Sequence, residues 1–290
     1  LLQNISNISG GDGYSFIPDA SILGSVFING ISNLLLTCTT NVTMKINLGD
    51  GSTITNGQSE INIDSLKYGK TKHFVFDVDV VDERQLRSIA KVTLTLPNGK
   101  TISSVTNTCD EKLINRQLFR VGAVKTINHC LYLKKYNDDS FKDSINEFQQ
   151  KMLEYNSVAN DPYIQNMVDD FSGQVKEALN MTNDGMREDW FSRWGIHYLR
   201  SLQGAYKNEL CNNFKDKGLL NFKSGLFDTL CDNISTVFEA IPPPKPDIVK
   251  QAYRGSSNLR SMSVYNNAGG GCCIGTSGVL MANKNTKEIQ

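Results

Sequence analysis

The hydrophobic period of this chain changes once, near residue 108, and that change limits its fold more than any other feature. From Cys38 to Thr108 apolar residues recur at every second position: Val42, Met44, Ile46 and Leu48, then Phe74, Phe76, Val78 and Val80, then Val92, Leu94 and Leu96. Gly49-Asp50-Gly51 and Pro97-Asn98-Gly99 punctuate these runs with turn residues. Side chains alternate between the two faces of a strand, so the pattern predicts an antiparallel β-sandwich over 38–108, with strands buried on one side. From Cys109 the spacing becomes three and four. Ile114, Leu118, Val121, Val124 and Leu131 form one stripe, and Phe141, Ile145, Phe148, Met152 and Tyr155 a second. A third helix starts near Pro162, which suits a first-turn position, and carries Ile164, Val168, Phe171 and Val175. Trp190, Trp194, Leu199, Leu202 and Tyr206 mark a fourth, and Phe227, Leu230, Ile234, Phe238 and Ile241 a fifth. An α-helical bundle over 109–247 follows, closed by the Ile241-to-Pro246 run "IPPPKP", where proline removes the N–H a helix needs.

Ahead of the alternating region, Leu1 to Leu36 reads as a helix end, a strand and a helix. Gly10-Gly11 breaks the chain, Tyr14 to Ile17 is a strand, and Asp19 caps a helix whose apolar face is Ile22, Leu23, Val26, Phe27, Ile31, Leu34 and Leu35. Strand plus amphipathic helix is half of an α/β unit, so residues 1–37 are expected to be a short α/β remnant. Such a helix is expected to dock on the sandwich or the bundle, because its stripe would otherwise face water. The fold class is therefore α+β. Residues 248–271, rich in Ser, Asn and Gly, read as a flexible linker, and 272–290 begin a further strand-like unit.

Composition removes several functions. Thirty basic and thirty acidic residues cancel, and no Lys/Arg cluster with interleaved aromatics appears, so no nucleic acid is expected as a partner. No apolar run approaches the ~20 residues of a membrane span, and Leu1-Leu2-Gln3 has neither a basic leader nor an initiator Met. The chain is expected to be a piece of a larger protein. Cysteines at 38, 109, 130, 211, 231, 272 and 273 repeat no CxxC spacing, which points to reduced thiols in a cytoplasmic protein. His73, His129 and His197 fall at no metal-ligand spacing, and no phosphate-cradling or nucleophile-elbow motif is present, so neither metal nor cofactor is expected. The acidic pairs Asp138-Asp139 and Asp169-Asp170 are placed at helix starts or on solvated faces.

Cys272 stands apart. A cysteine that follows small residues and precedes a β-run can attack its own preceding carbonyl, here that of Gly271, converting the amide to a thioester. Equally, Cys272-Cys273 can be an apolar pair that starts a strand.

The run "GGCCIGTSGVLMANKNTKEI" resembles the opening of a Hint domain, the autoprocessing module of hedgehog proteins and inteins. The resemblance places Cys272 at the nucleophile, Gly271 at the scissile carbonyl, Gly275 at the following glycine, Val279 and Met281 on the first strand, and Thr286, Lys287 and Ile289 on the return strand. Cys273 and Ile274 depart from the pattern, which usually has an aromatic residue after the nucleophile, and the Thr-x-x-His that the family carries further on is expected to lie beyond Gln290. "ISGGDGYSFIPDASILGSVFINGISNLL" resembles the last strand and helix of a von Willebrand factor A domain, without its Asp-x-Ser-x-Ser metal motif. "RWGIHYLRSLQGAYKNELCNNFKD", at Arg193 to Asp216, is similar to the helical region of protist proteins that join the two. These resemblances imply a non-catalytic interaction and structural region with a protein partner. The alternative they imply is a self-cleaving precursor in which Cys272 performs an N-to-S acyl shift after Gly271.

Overall fold

The computed structural model describes residues 13–17, 22–49, 52–79, 90–105, 110–181 and 190–242. Helix α1, Leu23–Leu35, leads directly into β1, Thr37–Leu48, and β2 (Thr53–Asn56), β3 (Glu60–Lys67), β4 (Asp77–Asp79), β5 (Ala90–Thr95) and β6 (Thr101–Val105) follow. The helical part contains α2 (Glu111–Lys135), α3 (Phe141–Ala159), α4 (Pro162–Ser172), α5 (Gln174–Ala178), a π-helical turn at Phe191–Gly195, α6 (Ile196–Asn208), α7 (Lys217–Leu220) and α8 (Gly225–Ala240). The α+β class stands.

The expected sandwich is built unequally. One antiparallel sheet has the order β3-β1-β5-β6, and a separate ribbon pairs β2 with β4. The register opposite Met44 sets Ile61 on one side and Leu94 on the other, so the alternation of β1 propagates across the sheet. Val42, Met44, Ile46 and Ile63 are buried, and Ile54 of the ribbon and Phe76 pack over them. The polar residues fall on the opposite face, where Thr93 and Ser103 meet hydroxyl to hydroxyl at 3.0 Å. Of the Phe74-to-Val80 run only Asp77–Asp79 pairs as strand, and Val80 lies outside the described residues.

The N-terminal segment corrects its expectation in two ways. Among residues 13–17 there is no strand. Instead Phe16 donates its N–H to Ser201 Oγ (3.1 Å), and Tyr14 Oη and His197 Nδ1 share a hydrogen bond (3.1 Å), which lays this stretch along α6. Helix α1, expected to dock on the sandwich or the bundle, docks on the bundle, through a face that keeps Ile22 and Val26 of the expected stripe but not Phe27 or Leu34. Ile22, Val26 and Ile28 are buried together with Ser25, Asn29, Ser32 and Asn33, whereas Phe27 and Leu34 are 54% and 70% exposed. Buried polar groups here find partners: Asn33 Nδ2 donates to Cys211 O (3.0 Å), and the Cys231 thiol reaches Ser32 Oγ (3.2 Å) and Asn29 Oδ1 (3.6 Å). Asp19, the expected cap, lies outside the described residues.

In the bundle, local signals and packing agree for most elements. Asp110, Asp161 and Ser224 cap α2, α4 and α8 by accepting the N–H of Lys112, Tyr163 and Phe227, and Pro162 occupies the first turn of α4. Ile127, Cys130, Phe141, Ile145, Met152, Ile164, Met167, Phe171, Leu199, Leu202 and Tyr206 form one continuous core. On α2 the buried stripe is rotated from the expected one. Gln117, Arg120, Ala123, Ile127, Cys130 and Leu133 face inward, while Ile114 and Leu118 are exposed.

Candidate ligand-binding site

Arg120 lies on that inward face. Its guanidinium, buried on α2, donates to Gln117 Oε1 (2.6 Å), to Tyr206 O (3.0 Å) and to His73 O (2.9 Å), and lies 3.5 Å from the Glu209 carboxylate. Glu209 ends α6 in a left-handed conformation, φ +56°, and accepts both the backbone N–H and the imidazole Nδ1 of His73 at 2.7 Å. His73, which by sequence sits at a strand start, thus ties the sheet segment to the bundle. Beside this clasp, Asp161 receives Arg116 through two hydrogen bonds of 2.7 and 2.8 Å. Burial pushes that carboxyl up, but Arg116, the Tyr163 N–H and Lys112 outweigh it and hold Asp161 below the usual carboxylate range.

A second polar network lies between α4, α6 and α7. Asp170 is buried, which overturns its placement on a solvated face. Its carboxylate accepts the Tyr206 hydroxyl and the Gly218 N–H, both at 2.9 Å. Burial and the neighbouring Asp216 raise its pKa to about 8. Its neighbour Asp169 fits the solvated reading, paired with Lys217 at 2.7 Å near the surface. Asp216, 2% exposed, accepts the Tyr198 hydroxyl (2.8 Å) and Asn213 Nδ2 (2.7 Å). Asn213 Oδ1 in turn accepts the N–H groups of Lys215 and Asp216, an Asx turn that fixes where Asp216 points. Burial pushes Asp216 up as well, and Tyr198 and Tyr206 are raised well above the ordinary phenol range for the same reason.

Above Asp216 the surface opens into a cavity of about 310 Å³, lined chiefly by Phe16, Glu177, Trp190, Trp194, Tyr198 and Asp216. The π-helical turn builds its wall. Trp190 and Trp194 meet at 5.9 Å between ring centroids with planes inclined by 62°, and Trp194 and Tyr198 at 5.5 Å and 61°. The rings therefore stand as inclined panels and not as a stack. A widened turn needs room, and Gly195 supplies it: a Cβ there would lie 2.1 Å from Ala178 O. Phe16 closes the cavity from the other side, stacked on His197 at 6.0 Å and held by its N–H on Ser201. A few convergent polar groups in an aromatic-lined cleft of this size form the usual shape of a small-ligand site.

Sequence reasoning treated Trp190, Trp194 and Tyr206 alike, as markers of a helix face. Only tertiary structure separates Tyr206, fully buried, from the two half-buried tryptophans. The Trp-x-x-x-Trp-x-x-x-Tyr spacing was the available signal. The Asn213-to-Asp216 Asx turn left no periodic trace. His129 is exposed on α2, and His197 serves to pin Tyr14. Cys272 and Gly271, with the rest of the run expected to open a Hint domain, lie outside the described residues, as does Cys109. Cys38, Cys130, Cys211 and Cys231 are free thiols, and burial raises those of Cys130 and Cys211 to about 12, which makes them poor nucleophiles. Among the described residues no group of three or more His, Cys, Asp or Glu side chains is placed to hold a metal ion, and no helix is long and apolar enough to cross a membrane.

No curated protein and no solved structure matches the chain. A family model described as "VWA / Hh protein intein-like" matches residues 161–236, the stretch that supplies Glu177, Trp190, Trp194, Tyr198 and Asp216 to the cavity.

Proposed function

We propose that this chain is a non-catalytic protein-interaction and structural region of a larger protein that combines a von Willebrand factor A-type domain with a Hint-type domain. In this reading residues 1–37 are the tail of the A-type domain, 38–108 the sheet region, 109–247 the helical region, 248–271 a linker and 272–290 the start of the Hint-type domain. The observation that carries the reading is the aromatic cavity at the π-helical turn, which remains open to solvent while Arg120, Asp161, Asp170, Glu209 and Asp216 are each engaged by neighbouring groups. A cytoplasmic location and a protein partner accompany it.

A second reading is favoured by the intein-like wording of the matched family and by the Gly271-Cys272 junction: a precursor in which Cys272 attacks the Gly271 carbonyl. The Cys272 thiolate adds to that carbonyl, the Gly271–Cys272 C–N bond breaks, and the released amine takes up a proton, leaving a thioester open to an external thiol. Intact mass separates the readings. The protein is expressed with its natural downstream sequence, as wild type and Cys272→Ala, and incubated with and without dithiothreitol. An unchanged mass throughout is the expected result; a thiol-dependent break after Gly271 that Cys272→Ala abolishes would overturn the non-catalytic reading.

A further inference from the structure

Four aromatic side chains and two carboxyl groups share the cavity at the π-helical turn, and their chemistry selects one kind of guest. Aromatic faces carry negative charge density and attract cations, most strongly when water is excluded. Phe16, Trp190, Trp194 and Tyr198 line the cavity. Asp216 lies deep in the wall and the half-buried Glu177 approaches from α5, and among the described residues that line the cavity the one cation is Lys215, which is exposed. An anion entering here meets the Glu177 carboxylate in a partly screened setting. A purely apolar guest gains from the rings but leaves Glu177 without a counter-charge, whereas Asp216 already accepts from Tyr198 and Asn213. At about 310 Å³ the space suits one long side chain and not a folded segment.

We infer that the cavity binds the alkylammonium side chain of a partner protein, a lysine or its methylated form, with Trp190, Trp194 and Tyr198 around the alkyl stem and Glu177 facing the charge. The inference rests on the interaction reading above and names its ligand. Asp216 braces the wall behind the aromatic groups: Tyr198 Oη and Asn213 Nδ2 hold its two oxygens, and the Asn213 turn fixes its backbone. The π-helical turn has a reason in the same terms, since it keeps Trp190, Trp194 and Tyr198 in edge contact on one side of the helix.

Both tryptophans of the chain line this cavity, so indole signals report on it without labels. The test titrates the full chain with Nα-acetyl-lysine amide, its Nε-trimethyl form and Nα-acetyl-norleucine amide, which lacks the ammonium, following tryptophan fluorescence and the two indole N–H resonances. Saturable binding of the cationic probes, at least about fivefold tighter than norleucine, is expected from a partly desolvated cation–π contact. Glu177→Gln should weaken the cationic probes several-fold and leave norleucine unchanged, and Trp194→Phe should weaken them by a similar factor with the helical circular dichroism intact. Equal affinity for norleucine would overturn the ammonium assignment while leaving an interaction site. Absence of binding by all three probes would overturn the inference, and the intact-mass experiment then still decides the wider reading.

Discussion

Gly218 sits where no side chain can. An added Cβ would lie 1.9 Å from the Tyr206 hydroxyl, 2.5 Å from Asp170 Oδ2 and 3.0 Å from Tyr206 Cζ. An ordinary contact begins near 3.4 Å, so Gly218→Ala must push the hydroxyl away by about 1.5 Å, the difference between 3.4 and 1.9 Å. Tyr206 is fully buried and Asp170 nearly so, which leaves little space to yield. The displacement breaks the Tyr206–Asp170 hydrogen bond, worth about 1–3 kcal/mol in this setting, and adds overpacking strain of about 1–3 kcal/mol. Alanine returns up to ~1 kcal/mol through its higher helix propensity in α7. A net loss of about 1–5 kcal/mol follows, a large share of the roughly 5–15 kcal/mol typical of a folded protein. Urea unfolding followed by circular dichroism measures it, with a double-mutant cycle as control. Tyr206→Phe deletes the nearest colliding atom and leaves Asp170 Oδ2 free to shift, so the double variant should be more stable than the sum of the two single losses by at least about 1 kcal/mol. A Gly218→Ala loss under 1 kcal/mol, or strict additivity with Tyr206→Phe, would refute the packing argument.

Gly195→Ala should destabilise by about 3 kcal/mol, because the colliding atom at 2.1 Å is the Ala178 backbone oxygen and not a movable side-chain tip; altered indole resonances would show the cavity wall shifting with it. Arg120→Met strands the buried Glu209 carboxylate and the Tyr206 and His73 carbonyls, and a loss of about 3–5 kcal/mol is expected in chemical denaturation. Stability should fall as pH rises between 3.8, the ordinary value for Asp170, and about 8, its value in the fold. The sign follows from proton binding: in this window the folded state holds the proton more tightly than the unfolded chain, so raising pH favours unfolding. Asp216, also raised, acts in the same direction, while Tyr198 and Tyr206 donate to the two carboxylates and Lys217 stands nearby on Asp169. Asp170→Asn should flatten that decline in thermal unfolding measured from pH 5 to 8.

The order of elements was readable because it depends on period and local chemistry. Val42, Met44 and Ile46 alternate over any partner, and Pro162 after Asp161 starts a helix whatever it packs against. Which residues face inward was a tertiary decision. On α2 the inward face carries Arg120, its guanidinium satisfied by Gln117, His73, Tyr206 and Glu209, while Ile114 and Leu118 of the most apolar stripe are exposed and Val124 and Leu131 only border the core. Tyr14 to Ile17 has the composition of a strand but the described residues 13–17 form none, and the Phe16 N–H donates to Ser201 on a helix. The cavity depends on residues from positions 16 to 216, brought together by folding alone. Sequence fixes local conformation through short-range sterics and hydrogen bonding, whereas burial and site geometry depend on partners distant in the chain, which only the packed fold selects.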